Sequence, residues 1–271
     1  PPPAAPTPPP PGAYPPPPGA YPPPAGAYPP PAAGYGQPLV APQGADIGQA
    51  FSYGWTKLWQ NAGAFIVASL IYVVGFAVIV GVFWTVLFAG AMATSQLNSD
   101  GTYSSTSAGF SAVGSLSSGL FILVIVLLGY LVQAGFIRGA LEVTYGRPVA
   151  IGDFFKFTDF GRIVVAALVT GIIVGIGSAL CYLPGIVAAF FLQFVLFFVI
   201  DKGMAVGDAL RASFNLAKNN VGPAVLLLLV VYVIQAIGSA LCGIGLIVAL
   251  PLGYLVSAYM YRKLLNEPVA P

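Results

Sequence analysis

The sequence predicts an all-α polytopic membrane protein. Six transmembrane helices form three hairpin-like parallel repeats, each preceded by an amphipathic interfacial helix, behind a disordered Pro-rich N-terminal tail. Three observations predict this. Of the 271 residues, 58% are hydrophobic and 7% charged, whereas soluble domains carry about 25% charged residues. Apolar runs long enough to span a bilayer recur along the chain after residue 60. The charges gather on one side of those runs.

Residues 1–45 hold 20 of the 26 prolines and no charge. Proline lacks an N–H and fixes φ, so polyproline II broken by glycine is expected, without helix or sheet. Tyr14, Tyr21, Tyr28 and Tyr35 recur there at seven-residue intervals. Aromatic-lined grooves dock preformed polyproline II at low entropic cost, and tandem weak sites add avidity. The four tyrosines are therefore candidate contacts for cytoplasmic or membrane protein partners. The same composition suits weak self-association or an inert spacer.

Residues 46–265 form the expected membrane domain, and 266–271 a short C-terminal tail. Asp46 and Gln49 are spaced for a capping box. Behind them Ile47, Phe51, Trp55, Leu58 and Trp59 share one helical face. Phe51, Trp55 and Trp59 are candidate interfacial anchors in the lipid bilayer; an ordinary surface helix is the alternative. Spanning helices are expected at about 62–92, 117–141, 162–182, 184–201, 222–242 and 244–264. Pro184 and Pro223 suit first-turn positions, and Pro251 should kink the sixth span.

All ten basic residues, from Lys57 to Lys263, fall before segment 1, at the 2–3 and 4–5 connections, or after segment 6. The positive-inside rule then places both termini in the cytoplasm of a multi-pass protein of the bacterial cytoplasmic membrane. A net charge of +2 gives no argument for nucleic acid.

Internal matches point to a repeat. Residues 47–63 resemble 206–222, residues 129–142 resemble 253–266, and "IGSALC" occurs twice, ending at Cys181 and Cys242. "IGDFF", residues 151–155, starts a third, shorter interfacial element. Every unit begins and ends on the same side, which makes the copies parallel rather than inverted.

The run "GDALRASFNLAKNN", followed by "LCGIGLIVALPLGYLVSAYMYR", resembles the bacterial glycerophosphoryl diester phosphodiesterase membrane-domain family of six-helix proteins. The matching positions are Ala209, Arg211, Ser213, Asn220, Pro251, Tyr261 and Arg262. With its tail, the chain is similar to actinobacterial proline and glycine rich transmembrane proteins. The resemblance covers roughly residues 46–265 and implies architecture. The phosphodiesterase activity belongs to a separate soluble domain that has no counterpart here.

No catalytic, cofactor or metal site is expected. There is no histidine, and the acidic residues alternate with basic ones as Asp153/Lys156, Asp159/Arg162, Asp201/Lys202 and Asp208/Arg211, the pattern of locally paired, solvated helices. Gln133, Gln193 and Gln235 are the polar candidates within spans, read as helix–helix hydrogen bonds or as a pathway for a neutral or lipid substrate. Ala167, Gly171, Gly175 and Ala179 form a small-residue ridge, suited to packing inside the bundle or to an oligomer. Cys181 and Cys242 occupy equivalent outward positions, as a disulfide or as two thiols. The function expected is a non-enzymatic scaffold, adaptor or accessory subunit that recruits partners through its tail. A transporter, channel or lipid-handling protein is the alternative.

Overall fold

The computed structural model of the protein describes residues 46–97, 101, 103–105, 107–156, 160–241 and 243–271, all within the unit Leu39–Pro271. The expected tail contacts Tyr14, Tyr21, Tyr28 and Tyr35 lie outside them. The described α-helices are α1 (Ile47–Gln60), α2 (Ala62–Thr94), α3 (Ser107–Thr144), α4 (Phe160–Leu180), α5 (Tyr182–Leu192), α6 (Val195–Lys202), α7 (Val206–Asn219), α8 (Val221–Ala240) and α9 (Leu246–Leu264). A 3₁₀ turn, Ile151–Phe155, precedes α4. Strands β1 (Ser95–Leu97) and β2 (Tyr103–Ser105) pair antiparallel, Ser95 opposite Ser105, in the polar connection between the first two long helices.

Among the described residues, five segments are long and apolar enough to cross a membrane: Ala62–Ala89, Ser117–Thr144, Phe160–Leu180, Tyr182–Lys202 and Val221–Ala240. Their outer faces carry large exposed apolar side chains, among them Trp84, Phe88, Leu120, Ile176 and Tyr232. Such a surface suits contact with lipid rather than water. The expected sixth span, 244–264, is α9, which does not join that set. Its 19 residues include Pro251 and end in Arg262 and Lys263. Instead α9 is the centre of the bundle. It packs on α1, α2, α3 and α8, and Leu255, Val256, Ala258, Met260 and Tyr261 are fully buried.

Two details differ from expectation. The fourth span is not one continuous helix, because Gln193 and Phe194 form a turn between α5 and α6. The backbone groups freed there must be satisfied, since lipid offers no hydrogen bonds. Ser213 of α7 does so: its Oγ donates to the Phe191 carbonyl at 2.7 Å and accepts the Phe194 N–H at 3.2 Å. Gln193 Nε2 donates to the Phe190 carbonyl at 3.0 Å and reaches the Ala224 carbonyl of α8 at 3.5 Å. In α1, Asp46 caps the helix by accepting the Gly48 N–H at 2.8 Å. Gln49 does not complete the box, for its Oε1 accepts the Tyr259 hydroxyl at 3.5 Å instead.

The two short hairpins, α4–α5 and α8–α9, close in the same way. A Cβ on Gly177 would lie 3.0 Å from the Gly185 backbone. A Cβ on Gly245 would lie 2.6 Å from the Gly238 carbonyl oxygen and 2.9 Å from its Cα. Glycine at these points lets backbone approach backbone. Gln235 Nε2, on α8, adds a bond to the Ala249 carbonyl at 3.1 Å.

Both α3 and α9 stop in the same motif. Gly146 (φ 74°) and Asn266 (φ 57°) take the left-handed position. The next N–H returns to the helix, Arg147 to the Glu142 carbonyl at 3.0 Å and Glu267 to the Arg262 carbonyl at 2.9 Å. These stops turn the chain back over the bundle end and place charged side chains there.

Candidate functional site: the polar end of the bundle

The C-terminal ends of α3, α6 and α9 meet, and their polar side chains form one network. Asp201 is its hub, with 2% of its side chain exposed. Its Oδ1 accepts the Tyr145 hydroxyl at 2.6 Å and its Oδ2 the Tyr261 hydroxyl at 3.3 Å. Lys202 Nζ lies 3.1 Å from Asp201 Oδ2 and 2.5 Å from Glu267 Oε1. Arg262 Nη2 lies 3.7 Å from Glu267 Oε2, and its guanidinium stacks on the Tyr145 ring with Cζ 3.9 Å from the centroid. Arg147 approaches the same ring at 5.0 Å and pairs with Glu142 at 3.1 Å.

Charges buried this far from water need partners. Two carboxylates and two cations alternate in the network, so its core is neutral. Arg262 is 4% exposed, and its Nε and Nη1 have no hydrogen-bond partner among the described residues. The ring of Tyr145 compensates part of that cost through its π face. Burial, then the bond to Asp201, pushes the Tyr145 phenol above its ordinary range. Burial also raises the Tyr53 phenol to about 12; that hydroxyl donates to the Val143 carbonyl at 3.4 Å.

The C-terminal segment fastens this end. Ala270 N–H donates to the Thr144 carbonyl at 2.9 Å, and Lys57 of α1 donates to the Pro271 carbonyl. Below the cluster, Phe154 of the 3₁₀ turn is fully buried in a notch left by Gly135 and Gly139 of α3. Tyr72 of α2 donates to its carbonyl at 2.7 Å. The turn is capped by Asp153, which accepts the Ala150 N–H at 2.8 Å and Lys156 Nζ at 2.8 Å. The bond from Lys156, then that from Ala150, holds the Asp153 carboxyl below its usual value.

Among the residues singled out from sequence, Phe51, Trp55 and Trp59 form an exposed aromatic ladder on α1. Ring centroids lie 6.4 Å apart for Phe51–Trp55 and 5.7 Å for Trp55–Trp59. Leu58 leaves that face: with Ala50 and Gly54 it is buried against α9. The ridge on α4 is split. Ala167 is buried and Gly171 faces the Tyr130 hydroxyl, whereas Gly175 and Ala179 are exposed. The close approach uses Gly177, two residues away from Gly175. Cys181 is an exposed free thiol, and Cys242 lies outside the described residues. The pairs Asp153/Lys156 and Asp201/Lys202 form, at 2.8 and 3.1 Å. No ion pair joins Asp208 to Arg211, and Asp159 lies outside the described residues. Among the described residues no group of three His, Cys, Asp or Glu side chains could hold a metal ion.

Tyr145 and Ser213 are structural partners that stand out little in the sequence. Their signals were weak but present: a tyrosine directly after a long apolar run, and a serine on the buried face of an amphipathic helix.

A helical bundle with, among the described residues, five apolar segments long enough to cross a membrane is the class that the fold defines. A family model described as a domain of unknown function, DUF7847, matches residues 122–262, just over half of the chain. The protein belongs to this family. It is also similar to the uncharacterized protein Rv2560 of Mycobacterium tuberculosis, 32% identical over 229 residues that cover 82% of this chain and 69% of the relative. The uncharacterized protein Mb2590 of Mycobacterium bovis is similar to the same extent. No solved structure matches the chain.

Proposed function

We propose that the protein is a non-enzymatic membrane scaffold of the bacterial cytoplasmic membrane. The helical body anchors and orients, and the tail of residues 1–45 recruits protein partners on the cytoplasmic side. One observation carries the reading: the charged side chains at the bundle end pair with one another across helices. Asp201, Lys202, Glu267, Arg262 and Tyr145 bond across three helix ends, an arrangement that holds a platform rigid.

Supporting the cytoplasmic assignment of this end is the bias of basic residues toward it. The order interfacial element, outer helix, return helix occurs three times, as α1–α2–α3, 3₁₀ turn–α4–α5/α6 and α7–α8–α9. This order supports a three-unit body in which α9 serves as a sixth, protein-surrounded span. Kinship with the glycerophosphoryl diester phosphodiesterase membrane domains is proposed for architecture alone.

The test is deletion of residues 1–45, followed by crosslinking and co-purification from native membranes. Loss of partners with the body still membrane-embedded supports recruitment. An unchanged partner set contradicts it. A second reading, a lipid-handling membrane protein, is favoured by an apolar groove between α4, α5 and α7.

A further inference from the structure

We propose that this groove is a binding site for one anionic phospholipid, its phosphate held by Arg211 and Asn215 and one acyl chain lying between α4, α5 and α7. The inference rests on the reading of the bundle as membrane-embedded. The groove has a volume of about 460 Å³, within the range of small-molecule sites. Ile173, Ala188, Phe191 and Phe214 line its apolar part, and Arg211 and Asn215 are its polar residues. No acidic residue lines it.

The shape follows from the broken fourth span. Because α5 stops at Leu192 and Ser213 ties α7 to that break, α7 is held beside the hairpin. Leu210, Arg211, Phe214 and Asn215 lie one turn apart in pairs, so a single face of α7 meets the groove. Ile173 is thirteen residues beyond Phe160 in α4, about 20 Å along the helix axis. The groove therefore lies about midway along the apolar span, with Arg211 and Asn215 on its α7 wall. Ile173 is 40% and Phe214 41% exposed, so its wall reaches the outer, lipid-facing surface. An acyl chain enters such a groove sideways from the bilayer.

Charge complementarity selects the headgroup. Arg211 is exposed and has no ion pair or hydrogen bond among the described residues. Asp208, one turn away on α7, does not pair with it. A guanidinium left free at the polar end of an apolar groove offers two parallel donors to a phosphate. Asn215 adds an amide donor beside it. Basic pockets between helices are suited to anionic headgroups for this reason.

The test uses the purified full chain, exchanged into mixed micelles with equimolar phosphatidylglycerol and phosphatidylcholine, and native mass spectrometry of retained lipid. The expected result is preferential retention of phosphatidylglycerol. Arg211→Gln should lower that preference about five-fold, the factor expected for one basic group near a membrane surface. Lys218→Gln, on the same helix outside the groove, should leave it unchanged. Ala188→Phe fills the groove and should reduce retention of both lipids, with the melting temperature reporting whether the fold is intact. Equal losses in Arg211→Gln and Lys218→Gln would overturn the site in favour of diffuse surface charge. So would full retention in a folded Ala188→Phe variant, or displacement of the lipid by excess inorganic phosphate. A chain that does not partition into membranes at all would instead overturn the membrane reading.

Discussion

The hairpins α4–α5 and α8–α9 begin from the same words, Ile-Gly-Ser-Ala-Leu-Cys, and close on the same glycine contact. Their fates differ. The second hairpin delivers α9 to the centre of the bundle, buried along its length and ending in the Arg262 network. The first stays at the edge. Its helices keep Ile172, Ile176, Leu180 and Val187 exposed, and its return helix breaks at Gln193. Local glycine geometry thus sets how a hairpin closes, while the residues beyond it set where the hairpin sits. Tyr261, Arg262 and Glu267 follow α9, and they find Tyr145 and Asp201. The groove is a product of the edge position, where one broken helix leaves space beside α7.

The largest effect should come from the hub of the central network. Asp201→Ala removes the buried acceptor of two tyrosine hydroxyls and one of the two carboxylates that Lys202 pairs with, and should cost about 3 kcal/mol. Thermal unfolding in detergent measures this. A loss no larger than that of an exposed charge would mean that the ends of α3, α6 and α9 are not held together through Asp201.

Gly245→Ala comes next. The added methyl would meet the Gly238 carbonyl at 2.6 Å, and the surrounding helices give α9 little room to yield, so about 2–3 kcal/mol of destabilisation is expected. Gly185→Ala puts a methyl 2.8 Å from the Ser178 backbone nitrogen, but at the edge, where α5 can splay outward, and should cost about 1 kcal/mol. Equal melting shifts for the two would erase the distinction between central and edge hairpins.

Ser213→Ala tests the break. It leaves the Phe191 carbonyl and the Phe194 N–H unsatisfied, at a cost of about 1–2 kcal/mol. Hydrogen exchange should quicken at residues 191–196, and unchanged exchange there would show that the break does not depend on α7.

The smallest effect concerns Asp153. Its folded carboxyl titrates below the ordinary value, so its contribution to stability is present above the unfolded pKa, about 4, and is lost as pH falls through the lower folded value. Asp153→Asn should therefore narrow its deficit against the native chain as pH drops below about 4. A deficit independent of pH would remove the ion pair with Lys156 as its cause.

What was legible in the sequence was mostly local or periodic. Apolar run length gave the long helices, the Asp46 cap gave the start of the body, and neighbouring charges gave Asp153/Lys156 and Asp201/Lys202. Gln193 reached another helix as expected. Contacts between distant segments left little trace. Tyr145 meets Asp201 across 56 residues and Lys202 meets Glu267 across 65, and no spacing rule connects them. The small-residue ridge is split between buried and exposed positions for a related reason. In α4 small residues occur on several faces, so a four-residue pattern does not say which face meets α5. On α1 the aromatic residues drew attention to one face, while Ala50 and Gly54 made the protein contact on another. The expected sixth span, α9, stands apart from the five long apolar segments because it packs against protein on several sides, with Tyr259, Tyr261 and Arg262 reaching polar partners there.

The orientation of the charged end matters most to the proposed role, and native Cys181 reports it directly. This thiol is exposed at the turn between α4 and α5, which places it at the end opposite the Asp201 network. In a Cys242→Ala variant, spheroplasts would be treated with a membrane-impermeant maleimide before and after lysis. Full labelling of Cys181 before lysis is expected if, as proposed, the polar end faces the cytoplasm and this turn faces out. Labelling that requires lysis would contradict it.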